Sequence, residues 1–121
     1  PEVINMSYVI FQIPFESMQK LGAMRSPFLY RMSSAFTMKD VRELLKSGDY
    51  QPVCYAHVNT LNEVFAASNA PYEDKLERIE RMHTVSVGDV IVDAEADGAV
   101  WVVAPDGFDA LGETLEQVYT S

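Results

Sequence analysis

The run His83-Thr-Val-Ser-Val-Gly-Asp-Val-Ile-Val-Asp93, followed by Gly98-Ala-Val-Trp-Val-Val-Ala-Pro-Asp-Gly-Phe108, constrains the fold more than any other part of the chain. An apolar strand entered through Gly-Asp leads by the acidic turn Asp93-Ala-Glu-Ala-Asp-Gly98 into a second apolar strand, which stops at Pro-Asp-Gly. A short turn carrying Gly joins antiparallel neighbours. Val90 and Val92 alternate with Ile91 and Asp93, so the pattern predicts one buried face and one partly wet face.

The other elements fall around this hairpin. Tyr8-Val-Ile-Phe-Gln-Ile-Pro14 is β-rich and ends in proline, which predicts a core strand. Phe15 to Leu21 suits a short helix, and Met24 to Met32 suits a packed loop or strand. Thr37-Met-Lys-Asp40 opens a helix that Gly48 stops, with Met38, Val41, Leu44 and Leu45 on one face. Tyr50 to Val58 reads as a strand whose Pro52 marks an edge or a bulge. Thr60-Leu-Asn-Glu63 is a capping box for a helix to about Ser68, with Asn69 as its C-cap. The spacing of Tyr72, Leu76, Ile79 and Met82 predicts a third helix, with Glu77 and Arg81 paired across one turn. Leu111 to Tyr119 reads as a short terminal helix weakened by Gly112, with a tail from about residue 112 that frays. This order predicts a single α+β domain over residues 1–121, a small, largely antiparallel sheet or partial barrel flanked by three to four helices.

At 121 residues and 48% apolar, the chain can close a core of its own. No apolar run approaches the roughly 20 residues that span a bilayer, and no leader pattern opens the chain. The single Cys54 cannot form an internal disulfide, so a reducing cytoplasm is the expected compartment. The net charge of −9 is unevenly spread. All nine Lys and Arg precede residue 82, whereas residues 82–121 hold eight acids and no Lys or Arg. Such polarity steers encounter with a partner.

Residue patterns that carry chemistry are sparse. His57 and His83 lack the spacing and the cysteine neighbours of a zinc site, so no metal or other cofactor is expected. Gly88, Gly98, Gly107 and Gly112 are isolated and form no phosphate loop, and Ser34 and Ser86 stand in no nucleophile elbow. Cys54 sits in an apolar run, where thiols are commonly buried. No catalytic residue is assigned; a small hydrolase using Cys54, His57 or His83 with an aspartate is the weakest alternative. His83 is expected to anchor the turn into the Gly-Asp strand, and Asp89 to hold a turn through backbone N–H groups. A ligand pocket, if the hairpin builds one, would draw on His83, Asp89 and Trp101. The acidic hairpin residues Asp93, Glu95 and Asp97 are the candidate partner surface. Residues 15–48 are locally basic and interleaved with aromatics, so Arg25, Arg31, Lys39 and Arg42 are the candidate nucleic-acid contacts.

His83-Thr-Val-Ser-Val-Gly-Asp-Val-Ile-Val92 resembles the "H-S-L-S-V-G/S-D-V-I/V" signature of YodL-like domains, with Thr84 and Val85 in place of Ser-Leu. The likeness extends to Gly98-Ala-Val-Trp-Val-Val103 and Gly107-Phe108. Upstream it takes in Tyr50-Gln-Pro-Val53, Leu61-Asn-Glu-Val-Phe65, Asn69 and the strand Tyr8-Val-Ile-Phe-Gln12. The resemblance implies a protein of a bacterial phage, plasmid or conjugative element whose activity is unassigned. It points to a non-enzymatic accessory that binds a host macromolecule, most simply a host protein, in host takeover or anti-defence. A looser similarity, Val87-Gly88-Asp89-Val90 at a strand start, is to PUA/ASCH-type modules and implies RNA or nucleotide binding as the alternative.

Overall fold

A computed structural model describes residues 7–14, 38–69 and 75–121. Its elements are β1 (Tyr8–Gln12), α1 (Met38–Ser47), β2 (Gln51–Ala56), α2 (Leu61–Asn69), β3 (Leu76–Arg78), β4 (Val90–Asp93), β5 (Ala99–Ala104), β6 (Gly107–Thr114) and α3 (Leu115–Thr120). The strands form one antiparallel sheet in the order β3-β2-β1-β4-β5-β6, open at both ends. This is the expected α+β class, with the sheet rather than the partial barrel realised.

Strand alternation sends side chains to two cores. On one face Val9 and Phe11 of β1, Val90 and Val92 of β4, and Val100 and Val102 of β5 meet Val41, Leu44 and Leu45 of α1 and Val118 of α3. On the other, Tyr8, Ile10, Cys54, Ala56, Ile91 and Val103 meet Val64 of α2 and Val85 of the loop before β4. α1 keeps its predicted bounds, and Gly48, at φ +84°, provides the left-handed stop. Its N-terminal cap at Thr37, the expected helix over 15–21 and the segment 24–32 lie outside the described residues.

Pro52 sits beside an irregularity. Ile10 pairs with Cys54 and Phe11 with Pro52, so Val53 is the extra residue of a bulge, and both Val53 and Cys54 enter the same core. β3 pairs only with Cys54–Ala56, so among the described strands Gln51 and Pro52 have no outer partner, and there a missing N–H costs nothing.

Two predicted helices are corrected. Leu76–Arg78, inside the expected helix over 72–82, is a strand on β2. The outer edge of β2 carries backbone groups that need partners, and Lys75 and Ile79 also bond there, to His57 and Val53. That demand outweighs a helical spacing whose apolar positions do not all reach the core: Leu76 and Met82 pack against it, whereas Ile79 faces solvent with Glu77, Arg78, Glu80 and Arg81. Glu77 and Arg81 are therefore not a helical pair, and Glu77 lies by His57 instead. The terminal helix begins at Leu115, not Leu111, because β6 runs to Thr114 against β5. β6 carries two extra residues between the pairs Trp101↔Ala110 and Ala99↔Thr114, and Gly112 takes φ +87° within that bulge. Thr114 then caps α3, its hydroxyl accepting from Gln117 N–H while Gln117 answers the Thr114 N–H.

Candidate functional site

Three groups of side chains merit comparison: a buried polar knot, an open groove and an exposed acidic turn. The knot joins β1 to the entry of β4. Gln12 and Asp89 are the two polar side chains buried in the described core. Gln12 Nε2 donates to Asp89 Oδ2 at 3.0 Å and to the His83 carbonyl at 2.9 Å, and Gln12 Oε1 accepts from His83 N–H at 3.2 Å. Asp89 Oδ2 also accepts from Ser86 N–H at 2.9 Å. Tyr50 hydroxyl donates to the Gly88 carbonyl at 2.5 Å, while Gly88, at φ +94°, donates to Val103. His83 Nδ1 contacts the Thr84 carbonyl at 2.8 Å; a carbonyl only accepts, so this nitrogen carries the proton. Among the described residues no buried side-chain N or O is left unpartnered. The expected turn-holding geometry of Asp89 and anchoring of His83 are thus present, and the His83-to-Asp89 run is tied down by its own bonds.

The groove, about 430 Å³ and open to solvent, lies on the α2 face of the sheet. Its sheet side consists of Tyr8, Asp93, Trp101 and Phe108, contributed by β1, β4, β5 and β6. Its helical side is Asn59 to Asn62, the entry to α2. The register explains the grouping: Ile91 pairs with Trp101, so Asp93 is its diagonal neighbour, and Tyr8 pairs with Asp93. Trp101 also pairs with Ala110, which places Phe108 on its other diagonal. Tyr8 and Phe108 were missed by sequence reasoning because their facing depends on pairings between strands far apart in the chain. His83 and Asp89 are not among the residues that line this groove. A smaller hollow of about 210 Å³ lies where Trp101 meets the β6 bulge and Gln117 of α3.

Burial pushes the Tyr8 phenol up, and the carboxylates of Asp93 and then Glu63 push it further. Tyr8 hydroxyl donates to the Asn59 carbonyl at 3.3 Å, joining β1 to the α2 entry. Thr60 Oγ1 caps α2 by accepting from Glu63 N–H at 3.1 Å, the predicted N-cap bond. Glu63 carboxylate turns to the Thr60 hydroxyl, at 3.2 Å.

The acidic turn grows out of the groove wall. Asp93 Oδ1 accepts from Glu95 N–H at 3.0 Å, its carbonyl accepts from Ala96 and Gly98, and Asp97 takes a left-handed φ of +55°. Glu95 and Asp97 are exposed. The three expected acids therefore share one end of the sheet.

The remaining candidates are scattered. Lys39 is exposed on α1, while Arg42 Nε lies 2.7 Å from Glu113 of β6 and also donates to Ser121. Arg25 and Arg31 lie outside the described residues. His57 bridges Ser7 and Glu77 at 3.3 Å on each side, at the exposed junction of β1, β2 and β3. Cys54 is fully buried, and that burial raises its thiol, the opposite of what a thiolate nucleophile needs. No three described His, Cys, Asp or Glu side chains form a metal-holding group, and no described helix is long and apolar enough to cross a membrane. Compared with protein-family models, curated proteins and solved structures, the chain matches none.

Proposed function

We propose that this chain is a non-enzymatic accessory protein of a phage or other mobile element, which acts in the bacterial cytoplasm by binding a host protein at the end of its sheet. One observation carries the reading: the acidic turn of Asp93, Glu95 and Asp97 continues directly into an open groove walled by aromatic side chains. Apolar surface for burial and charge for steering then lie side by side, the combination that protein interfaces use. The resemblance to YodL-like domains supplies the mobile-element context. Nucleic-acid binding through α1 has less support, because Arg42 is engaged by Glu113 and Ser121.

Affinity capture from bacterial lysate, before and after nuclease treatment, tests the proposal. The tagged protein should retain a stoichiometric host protein after nuclease, and Asp93→Asn/Glu95→Gln/Asp97→Asn should lose it. Captured material that nuclease strips away would instead assign the chain to nucleic acid. Undiminished capture by the triple variant would remove the acidic turn from the interaction.

A further inference from the structure

We propose that the groove is a receptor for an arginine side chain presented by a basic segment of the bound protein. The inference deepens the protein-binding reading and rests on it. Its starting point is the sheet side of the groove, an indole and a phenyl ring, a phenol and one carboxylate, which faces Asn59, Thr60, Leu61 and Asn62 with no cation among the lining residues. Rings attract a cation over their faces, and a nearby carboxylate supplies the counter-charge.

The register sets the spacing. Asp93 and Trp101 are diagonal neighbours on one face of β4 and β5, roughly 7–8 Å apart by strand geometry. A cation between them is within hydrogen-bond reach of the carboxylate and within the roughly 6 Å over which a ring attracts it. Phe108, on the next diagonal, extends the apolar wall for the aliphatic stem.

Charge decides the sign of the occupant. The N-terminal end of α2 faces the groove and carries about half a positive charge. Against it stand the full carboxylates of Asp93 and Glu63, both of which raise the Tyr8 phenol, so the negative field wins at this wall. The acids Glu95 and Asp97 extend that field outward along the turn. Guanidinium fits better than ammonium because its plane stacks on an indole while its edge donates a fork of hydrogen bonds to a carboxylate.

Trp101 is the only tryptophan of the chain, so its emission reports occupancy directly. The probe is an acetylated, amidated peptide of three Arg-Gly-Gly repeats, titrated at fixed ionic strength, with a citrulline counterpart that keeps the shape and removes the charge. The arginine peptide should give a saturable change in Trp101 emission. Its affinity should fall by at least about tenfold for the citrulline peptide and for Asp93→Asn, where a charged hydrogen bond is lost. The Asn retains an oxygen to accept from Glu95 N–H, so the turn is expected to stay folded. Glu116→Gln removes the same unit of charge from exposed α3 and should leave affinity unchanged. Equal response to citrulline, equal loss in Glu116→Gln, undiminished affinity in Asp93→Asn or the absence of a saturable change would each overturn the proposal. If a chain that still captures a host protein ignores the arginine peptide, this inference fails and the protein-binding reading stands. A response to the peptide without capture of any protein has the reverse meaning.

Discussion

Gln12 and Cys54 lie on neighbouring strands of the same sheet, and each shows how burial dictates chemistry. The Gln12 amide spends both of its ends on the run from His83 to Asp89, so a polar side chain at a core position becomes the clasp between β1 and β4. A buried donor left unsatisfied costs roughly 1–3 kcal/mol, which is why the complete pairing of this knot matters more than any single bond in it. Cys54 has a different consequence. Its thiol is held above the ordinary value of 9.0, chiefly by burial, with Arg78 pulling the other way. As pH rises the unfolded chain ionises this group first, so its contribution to stability is complete below the ordinary thiol value and is lost as pH climbs through the folded one. Urea denaturation of wild type and Cys54→Ala between neutral pH and pH about 10 should show a shallower alkaline loss in the variant. Parallel pH profiles would mean that Cys54 titrates alike in both states.

Among the elements, β6 departs furthest from what its residues suggest. Leu111 to Tyr119 has helical spacing, yet only Leu115–Thr120 is helix, because Ala110 and Thr114 are needed as partners for Trp101 and Ala99. The bulge that accommodates the extra residues turns on Gly112, at φ +87° with open space where a Cβ would stand. Gly112→Ala should therefore cost about 1 kcal/mol through backbone strain alone, read as a lower urea midpoint at unchanged slope. A neutral substitution would show that the bulge relaxes without positive φ. The β4–β5 hairpin, α1 and the N-cap at Thr60 were legible in the sequence because each is written in adjacent residues: alternation, one-sided spacing, a cap or a stop. β3 was not, since Leu76–Arg78 becomes a strand only through the open edge of β2, far back in the chain at Cys54–Ala56. The Thr114-x-x-Gln117 capping box is a local signal that places the start of α3. In the groove, Asp93 and Trp101 were singled out by their hairpin, whereas Tyr8 and Phe108 join them through pairings the sequence does not display.

At the scale of the whole molecule, charge and shape are polarised together. The acids of residues 82–121 lie on β4, β6 and α3 and in the turns beside them, and one of them, Asp93, lines the groove on the α2 face. Glu113 is spent within the fold on Arg42, which ties α1 to β6 and removes both charges from service at an interface. Glu95 and Asp97 stay exposed beyond the groove and can steer a basic partner over roughly a Debye length, about 8 Å at physiological salt. On the proposed reading, recognition lies at one end of the sheet and α1 serves as support. Hydrogen–deuterium exchange of the protein, alone and with a host protein retained in the affinity capture, tests this proposal most directly. Protection on binding is expected at residues 93–98 and 59–63, with α1 unchanged. Protection confined to residues 15–48 would contradict it and move the interface to the basic segment.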